Sequence, residues 1–330
     1  MAYRVIGIGN AVMDVIAPIN DAQLEQLGIA RGVMALVERD RSDQLTAAAS
    51  GARLVPGGSV ANTMAGLGRL GLSTACIGRV ADDDLGRAYV RQTVAEGSDF
   101  VNPPVPVPGA GLPTSRSVIF VTPDGERSMN TWLGISAELD ESDVDEALFS
   151  DGCWLFLEGY LFDKDKGKAA FHKAALAARA AGGQAGIALS DPFCVDRHRE
   201  DFRRLVAGPM DYVIGNVHEW LALYQVADLD EALRLAAADC GTVICTRSGE
   251  DAILIRGDQR VTAPVHAVTP VDATGAGDQF AAGLIYGLAT GRPLAVAGRM
   301  GCIAAAEVIS HVGARPEANV LALFRAEGLV

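Results

Sequence analysis

Lysine is scarce in this 330-residue chain: Lys164, Lys166, Lys168 and Lys173 are the only four, all within one predicted helix. No G-x-x-x-x-G-K-[ST] exists, so an NTPase built on a lysine-bearing phosphate loop is excluded, and the lysine row reads as a solvated helix face. Cysteine is present but unorganised. Cys76, Cys153, Cys194, Cys240, Cys245 and Cys302 show no C-x-x-C and no clustering, and the amino-terminal Met-Ala-Tyr-Arg-Val has no signal-peptide pattern; reduced thiols in a cytoplasm are the expectation. The five histidines are scattered, without metal-ligand spacing. Long apolar runs are also lacking: the stretch from Gln279 to Gly291, closed by Asp278 and Arg292, is too short to span a bilayer, and a membrane protein is excluded. Basic charge is short as well. With 28 basic against 41 acidic residues the net charge is -13, the wrong sign for nucleic acid or anionic lipid, so any phosphate site must be assembled locally from N–H groups, cations and helix ends.

What the chain does have is apolar residues, 49% of the total, enough to offset the ordering entropy of a compact fold. β-Branched runs alternate with Ala/Leu/Arg stretches of helical period, which predicts one α/β domain with a mostly parallel central sheet covered by helices on both faces. The predicted strands are 4–9, 53–55, 74–77, 154–157, 185–189, 212–214 and 242–246. Predicted helices cover 59–70, 83–96, 164–181, 217–224, 230–239, 276–289 and 294–309. Two stretches break the rhythm. Residues 14–39 hold the short strand candidates 15–19 and 33–37. In residues 101–133, the stretch 101–113 carries five of the 14 prolines and is followed by a hairpin around Pro123-Asp124-Gly125. Together they predict a small β-rich layer inserted into the 1–330 domain, either a lid over a cleft or a cover for a sheet edge.

The most informative segment is Asp272-Ala273-Thr274-Gly275-Ala276-Gly277-Asp278. Gly275, Ala276 and Gly277 lead into a helix with Phe280, Leu284 and Leu288 on its apolar face, so their N–H groups form an anion hole at the positive end of the dipole. Asp278, in the first turn, is placed to take a proton from a hydroxyl attacking a phosphate held there; alternatively it only favours the helix N-terminus, worth ~0.3–1 kcal/mol. Pro56-Gly57-Gly58-Ser59-Val60-Ala61-Asn62 opens another helix. The paired glycines permit close approach of a ligand, Asn62 offers a donor and an acceptor to a hydroxylated molecule, and the plain alternative is a strand-to-helix connection capped by Ser59. Asn216-Val217-His218-Glu219 reads equally as a capping box or as a carboxylate that orders water around phosphate-bound Mg²⁺. Gly57-Gly58-Ser59-Val60-Ala61 also approximates a nucleophile elbow, with His311 as a late base, which keeps a serine hydrolase using Ser59 as a minor rival. Gly7-x-Gly9-x-x-Val12 lacks the third glycine of a dinucleotide fingerprint.

Gly57-Gly58 with Asn62, Asn216-x-x-Glu219 and Asp272-x-Thr274-Gly275-Ala276-Gly277-Asp278, in this order, resemble the signatures of the ribokinase-like (PfkB) sugar and nucleoside kinases. The adenosine kinase branch is the nearest likeness, through Gly9-Asn10-Ala-Val-Met-Asp14, Arg127-Ser128 and Leu189-Ser190-Asp191-Pro192-Phe193. The resemblance implies a three-layer ribokinase-like sandwich with a small β-rich lid. It also implies transfer of the γ-phosphate of ATP to a primary hydroxyl of a ribosyl substrate, most nearly a nucleoside such as adenosine. Asp278 would be the general base, Gly275, Ala276 and Gly277 the anion hole, and Arg127 the cation neutralising the transferring phosphate. Asp14, Gly57, Gly58 and Asn62 would bind the sugar hydroxyls; Asn216, Thr246, Gly249 and Thr274 would bind ATP; Glu219 would hold Mg²⁺ through water. Asp272 and Thr274 would border a site for a monovalent cation such as K⁺. Arg116 and Val118 resemble the sugar-kinase pattern instead, which leaves a free sugar (ribose, a fructose-type sugar or a keto-deoxy sugar acid) as the alternative acceptor. Tyr160 or Phe162 could stack on a base. A monomer or homodimer with small-molecule partners only is expected.

Overall fold

The computed structural model describes residues 2–106 and 111–330; residues 107–110 of the predicted 101–133 segment lie outside the described residues. Fourteen strands are present among the described residues: β1 (Val5–Ile8), β2 (Val12–Pro18), β3 (Met34–Leu36), β4 (Arg53–Gly57), β5 (Thr74–Ile77), β6 (Ser98–Phe100), β7 (Ser115–Val121), β8 (Arg127–Trp132), β9 (Trp154–Glu158), β10 (Gln184–Ala188), β11 (Tyr212–Asn216), β12 (Thr242–Arg247), β13 (Glu250–Arg256) and β14 (Gln259–Ala263). They form a nine-stranded sheet in the order β14-β13-β12-β11-β10-β9-β1-β5-β6 and a five-stranded sheet in the order β3-β8-β7-β2-β4.

The large sheet is parallel from β12 to β6 and ends in an antiparallel hairpin, β13–β14, that the sequence reading did not separate from loop. Alternation along the strands sorts the core into two layers. Leu155, Leu157 and Val213 face one cluster, with Phe171 of the Asp165–Ala180 helix and Trp220 of the Val217–Tyr224 helix. Phe156, Tyr212 and Ile214 face the other, with Val60 and Met64 of the Ser59–Arg69 helix and Phe280 and Leu284 of the Ala276–Ala289 helix. Strand order runs outward in opposite directions from β1 and β9, so a switch-point crevice opens at their carboxyl ends, where α/β folds bind ligands.

The small sheet forms from the two predicted segments, with β4 as an added edge strand; β4 was expected in the large sheet. The chain passes from β1 through Gly9-Asn10-Ala11 directly into β2. On its outer face Val15, Ala17, Val118 and Phe120 pack on Leu24 and Leu45 of two short helices, Asp21–Gln26 and Arg39–Ala48. Arg116 shares that face: its guanidinium donates to Ser42 (2.9 Å), pairs with Asp43 and lies over the Trp132 ring. Neither Arg116 nor Val118 therefore faces the crevice, and the sugar-kinase likeness they carried concerns lid packing.

Candidate active site

Asp278 sits in the first turn of the Ala276–Ala289 helix, whose N-cap, Gly275, adopts the left-handed conformation at φ 80°. A Cβ on Gly275 would also lie 2.7 Å from Ala314, so glycine is required twice over. The Asp278 carboxylate is held from the Ser59–Arg69 helix: Ser59 Oγ donates to Oδ1 (2.6 Å) and Asn62 Nδ2 donates to Oδ2 (2.7 Å). Thr63 adds a bond to the Asp278 carbonyl (3.1 Å). Burial raises the Asp278 pKa, and these bonds together with the Arg315 charge oppose the shift. Of the expected anion hole, the Ala276 N–H donates to the Ala273 carbonyl (3.2 Å), while the Gly277 N–H meets no acceptor among the described residues.

Ser59 thus faces a carboxylate. Its Oγ donates to Asp278 and not to His311, the base that the serine-hydrolase alternative required, which lies 3.3 Å from Glu307.

Asp14, Gly57 and Asn62 converge on the same helix end. β2 and β4 pair Asp14 with Val55 and Val12 with Gly57. A Cβ on Gly57 would fall 2.4 Å from the Asp14 carboxylate, so the glycine is what admits that side chain. Gly58 has φ 98°, and a Cβ there would strike the Asn10 carbonyl at 2.2 Å. Asn62 is buried, and its Oδ1 has no hydrogen-bond partner, an acceptor left for a ligand. Burial pushes the Asp14 pKa up to about 7, against the opposing charges of Arg127 and Arg315. Asp14, Asn62, Arg127 and Thr274 line a cleft of about 440 Å³ whose far wall includes Arg315 and Glu96.

Arg127, at the start of β8, reaches across from the small sheet. Its Nη1 donates to Asp272 Oδ2 (2.7 Å) and to Thr274 Oγ1 (3.0 Å). In this state it neutralises Asp272, where a free contact with the transferring phosphate had been expected.

Of the predicted nucleotide residues, Thr274 lines the cleft with Asp14 and Arg127, and Asn216, Thr246 and Gly249 lie together at the ends of neighbouring strands. Parallel pairing of β11 with β12 sets Asn216 beside Thr246. Gly249, in the turn before β13, has open space where a Cβ would be. The capping box is present: Asn216 N and Nδ2 donate to the two Glu219 oxygens (2.8 and 2.7 Å), and Glu219 N donates back to Asn216 Oδ1 (3.0 Å). Burial raises the Glu219 pKa to about 7. Each Glu219 oxygen keeps a further acceptor position, which fits a water of a phosphate-bound Mg²⁺. The Tyr160 phenol donates to the Ser190 carbonyl (3.1 Å); burial of that end raises its pKa, and the charges of Asp278, Asp191, Glu158 and Glu219 add to the shift. Of the two aromatics considered for a base, Phe162 is stacked on Phe202 in the core, at 4.1 Å between ring centroids, whereas Tyr160 is 36% exposed.

Two site residues escaped the sequence reading. Glu158 ends β9 at the switch point, 1% exposed, and accepts from Asn10 N (2.7 Å), Asn10 Nδ2 (3.0 Å) and Val60 N (3.0 Å), so it ties the β1–β2 turn to the start of the Ser59–Arg69 helix. A carboxylate closing the apolar run Trp-Leu-Phe-Leu was the signal available. Arg315 donates to the Pro56 and Ala61 carbonyls (2.7 and 2.9 Å) and pairs with Glu96 (2.9 Å), bracketing Gly57-Gly58 from the carboxyl-terminal region. Nothing local in the sequence marks it.

A carboxylate beside an uncommitted helix N-terminus, at a cleft lined by Asp14, Asn62 and Arg127 in a two-sheet α/β frame, fits the class: a ribokinase-like phosphotransferase with an alcohol group as acceptor. Residues 22–319 match the model of the pfkB family of carbohydrate kinases, and the chain belongs to that family. It is 41% identical to the adenosine kinase from Sinorhizobium meliloti, with 99% of this chain and 100% of that one covered and a TM-score of 0.89. A probable sugar kinase from Rhizobium etli is similar at 38% identity, with both chains covered completely and a TM-score of 0.90. A fructokinase from Klebsiella pneumoniae is 31% identical over 240 residues, covering 71% of this chain and 77% of that protein. Among the described residues no helix is long and apolar enough to cross a membrane.

Proposed function

We propose that the protein transfers the γ-phosphate of ATP to the primary hydroxyl of a ribosyl acceptor, a nucleoside of the adenosine type. The observation that carries this reading is the grip on Asp278 by Ser59 and Asn62 beside the uncommitted Gly277 N–H, because it brings a base and an anion site on the first turn of one helix against an acceptor-binding side chain on another. Asp278 accepts the proton of the acceptor hydroxyl as its oxygen bonds to the γ-phosphorus. The bond to the β,γ-bridging oxygen breaks, ADP leaves, and Asp278 releases its proton to water. The Gly277 N–H and the helix dipole stabilise the charge on the phosphoryl oxygens, and Ser59 and Asn62 keep both carboxylate oxygens aimed. Asp14 and the free Asn62 Oδ1 accept from a vicinal diol. Mg²⁺ held with the nucleotide by water at Glu219 would neutralise phosphate charge, while Asn216, Thr246 and Gly249 would line the ATP site.

Exposed Tyr160 offers a face to a purine, and the 41% identity to an adenosine kinase over the whole chain supports a nucleoside. Segments 14–39 and 101–133 act as the lid in this reading. The six buried cysteines, without a disulfide among the described residues, suit the reducing cytoplasm. The fructokinase similarity supports a second reading, a free sugar as acceptor. ADP release with Mg-ATP against adenosine, 2′-deoxyadenosine, inosine, guanosine, ribose, fructose and keto-deoxy sugar acids separates them. Turnover of adenosine, with a roughly ten-fold loss for the deoxy analogue, is expected from one unpartnered buried acceptor. Turnover of a sugar with none of any nucleoside replaces the first reading by the second.

A further inference from the structure

The family likeness implies a monovalent cation beside Asp272 and Thr274, and the groups around Asp272 do not fit one. Its Oδ1 accepts from Thr274 N (2.9 Å) and Thr274 Oγ1 (2.6 Å). Its Oδ2 accepts from Gly313 N (2.8 Å) and Arg127 Nη1 (2.7 Å). Four donors thus occupy the acceptor positions of one carboxylate. A dehydrated K⁺ needs oxygen lone pairs in place of its water shell, whereas the groups converging here present N–H and O–H hydrogens, whose partial charges repel a cation. Thr274 Oγ1 is also taken, since it accepts from Arg127 (3.0 Å). The Arg127 and Asp272 side chains are each 9% exposed, so the pair is shielded from bulk salt.

We infer that Arg127 is a tethered monovalent cation for the Asp272–Thr274 loop, delivered by the small sheet, so that closure of that sheet supplies the charge balance and no free K⁺ is taken up. Asp272-Ala273-Thr274 runs directly into the Gly275 N-cap, so the guanidinium fixes the loop from which the anion hole starts. Arg127 comes from β8 and Gly313 from the carboxyl-terminal region, so small sheet, anion loop and carboxyl-terminal loop meet on one carboxylate. Charge balance at Asp272 then changes with the lid position, which a diffusible ion would not impose. The inference concerns the loop and stands apart from the choice of acceptor.

The test is thermal melting of the ligand-free protein, with kcat measured in parallel, in K⁺ and in tetramethylammonium at equal ionic strength. The parent is expected to melt and turn over alike in both. Arg127→Ala and Arg127→Gln, which empty the position by different amounts, are expected to acquire a K⁺-dependent rise in melting temperature and in activity. A parent stabilised by K⁺ and activated roughly ten-fold, the scale of one charge-assisted hydrogen bond, would overturn the inference. So would variants that remain indifferent to K⁺. Melting needs neither ATP nor acceptor, so failure of the acceptor assignment leaves this readout intact, and the parent's cation titration decides even where a variant does not fold.

Discussion

Asp278 is held by Ser59 and Asn62, 219 and 216 residues away in sequence, whereas Glu219 is held by Asn216, three residues away. The acceptor side of the cleft is thus an assembly of distant parts: β2, β4, the Ser59–Arg69 helix, β8 of the small sheet and the loop around Arg315 must all be in place before the base is aimed. The nucleotide side is a local cap at the end of β11, formed as soon as that turn of helix forms. Substitutions on the first side should therefore disturb catalysis and the placement of other elements together, while those on the second should stay local.

The largest effect expected from this contrast is at the base. Asp278→Asn removes the proton acceptor and presents an amide to two donors, Ser59 and Asn62, and kcat should fall at least ~10²-fold with ATP affinity little changed. Single-turnover kinetics with ATP titration measure both. Activity within a few-fold of the parent would show that the proton goes elsewhere.

Gly57→Ala comes next. The added Cβ would meet the Asp14 carboxylate at 2.4 Å and push that side chain out of its place in the cleft. A loss of ~1–3 kcal/mol in acceptor binding is expected, roughly ten-fold or more in KM, with the ATP KM unchanged. Gly249→Ala, with open space at its Cβ, is the control on the nucleotide side and should leave stability alone.

The third effect is on pH dependence. Asp14 must be ionised to accept two hydroxyls, and burial has raised its pKa to about 7. The acceptor kcat/KM should therefore fall as pH drops below about 7. Stability has the opposite sign. The folded state binds this proton more tightly than the unfolded chain, so the Asp14 contribution destabilises the protein as pH rises from 3.8 to about 7 and is constant above. Asp14→Asn should lose acceptor binding yet melt higher than the parent, with the gap widening through that window. A pH-independent gap would show that Asp14 is solvated in the free protein.

These differences also mark what the sequence could disclose. The rhythm of strands and helices is set by local pattern, and the large parallel sheet, the hairpin 115–132 and the capping box follow it. The Asn216–Glu219 cap is legible because all its atoms lie within one turn. Arg127 was visible as a cation on the hairpin, but its partner Asp272 is 145 residues away, and sequence spacing says nothing about which carboxylate a guanidinium reaches. Arg315 is illegible for the same reason: its partners are backbone carbonyls, Pro56 and Ala61, which carry no residue signature. β4 was misassigned because Arg53–Gly57 reads as an ordinary strand before a helix, and only pairing with β2 decides which sheet it joins.

Glu219→Gln carries the smallest expected effect and the sharpest test of the contrast. Asn216 N and Nδ2 both donate to Glu219, and glutamine offers a single oxygen, so one of the two bonds becomes a donor facing a donor. The cap should lose ~1–2 kcal/mol, within the range for a helix N-cap. Because burial raises the Glu219 pKa from 4.5 to about 7, the parent loses stability across that window and the neutral variant does not, so the net loss in melting temperature should shrink as pH rises from 4.5 to about 7 and stay constant above. If Glu219 also orders the waters of a nucleotide-bound Mg²⁺, the variant will need more Mg²⁺ for half-maximal rate while its acceptor KM stays at the parent value. A change in acceptor KM would instead mean that the two sides are mechanically joined, and the division into a distant assembly and a local cap would fail.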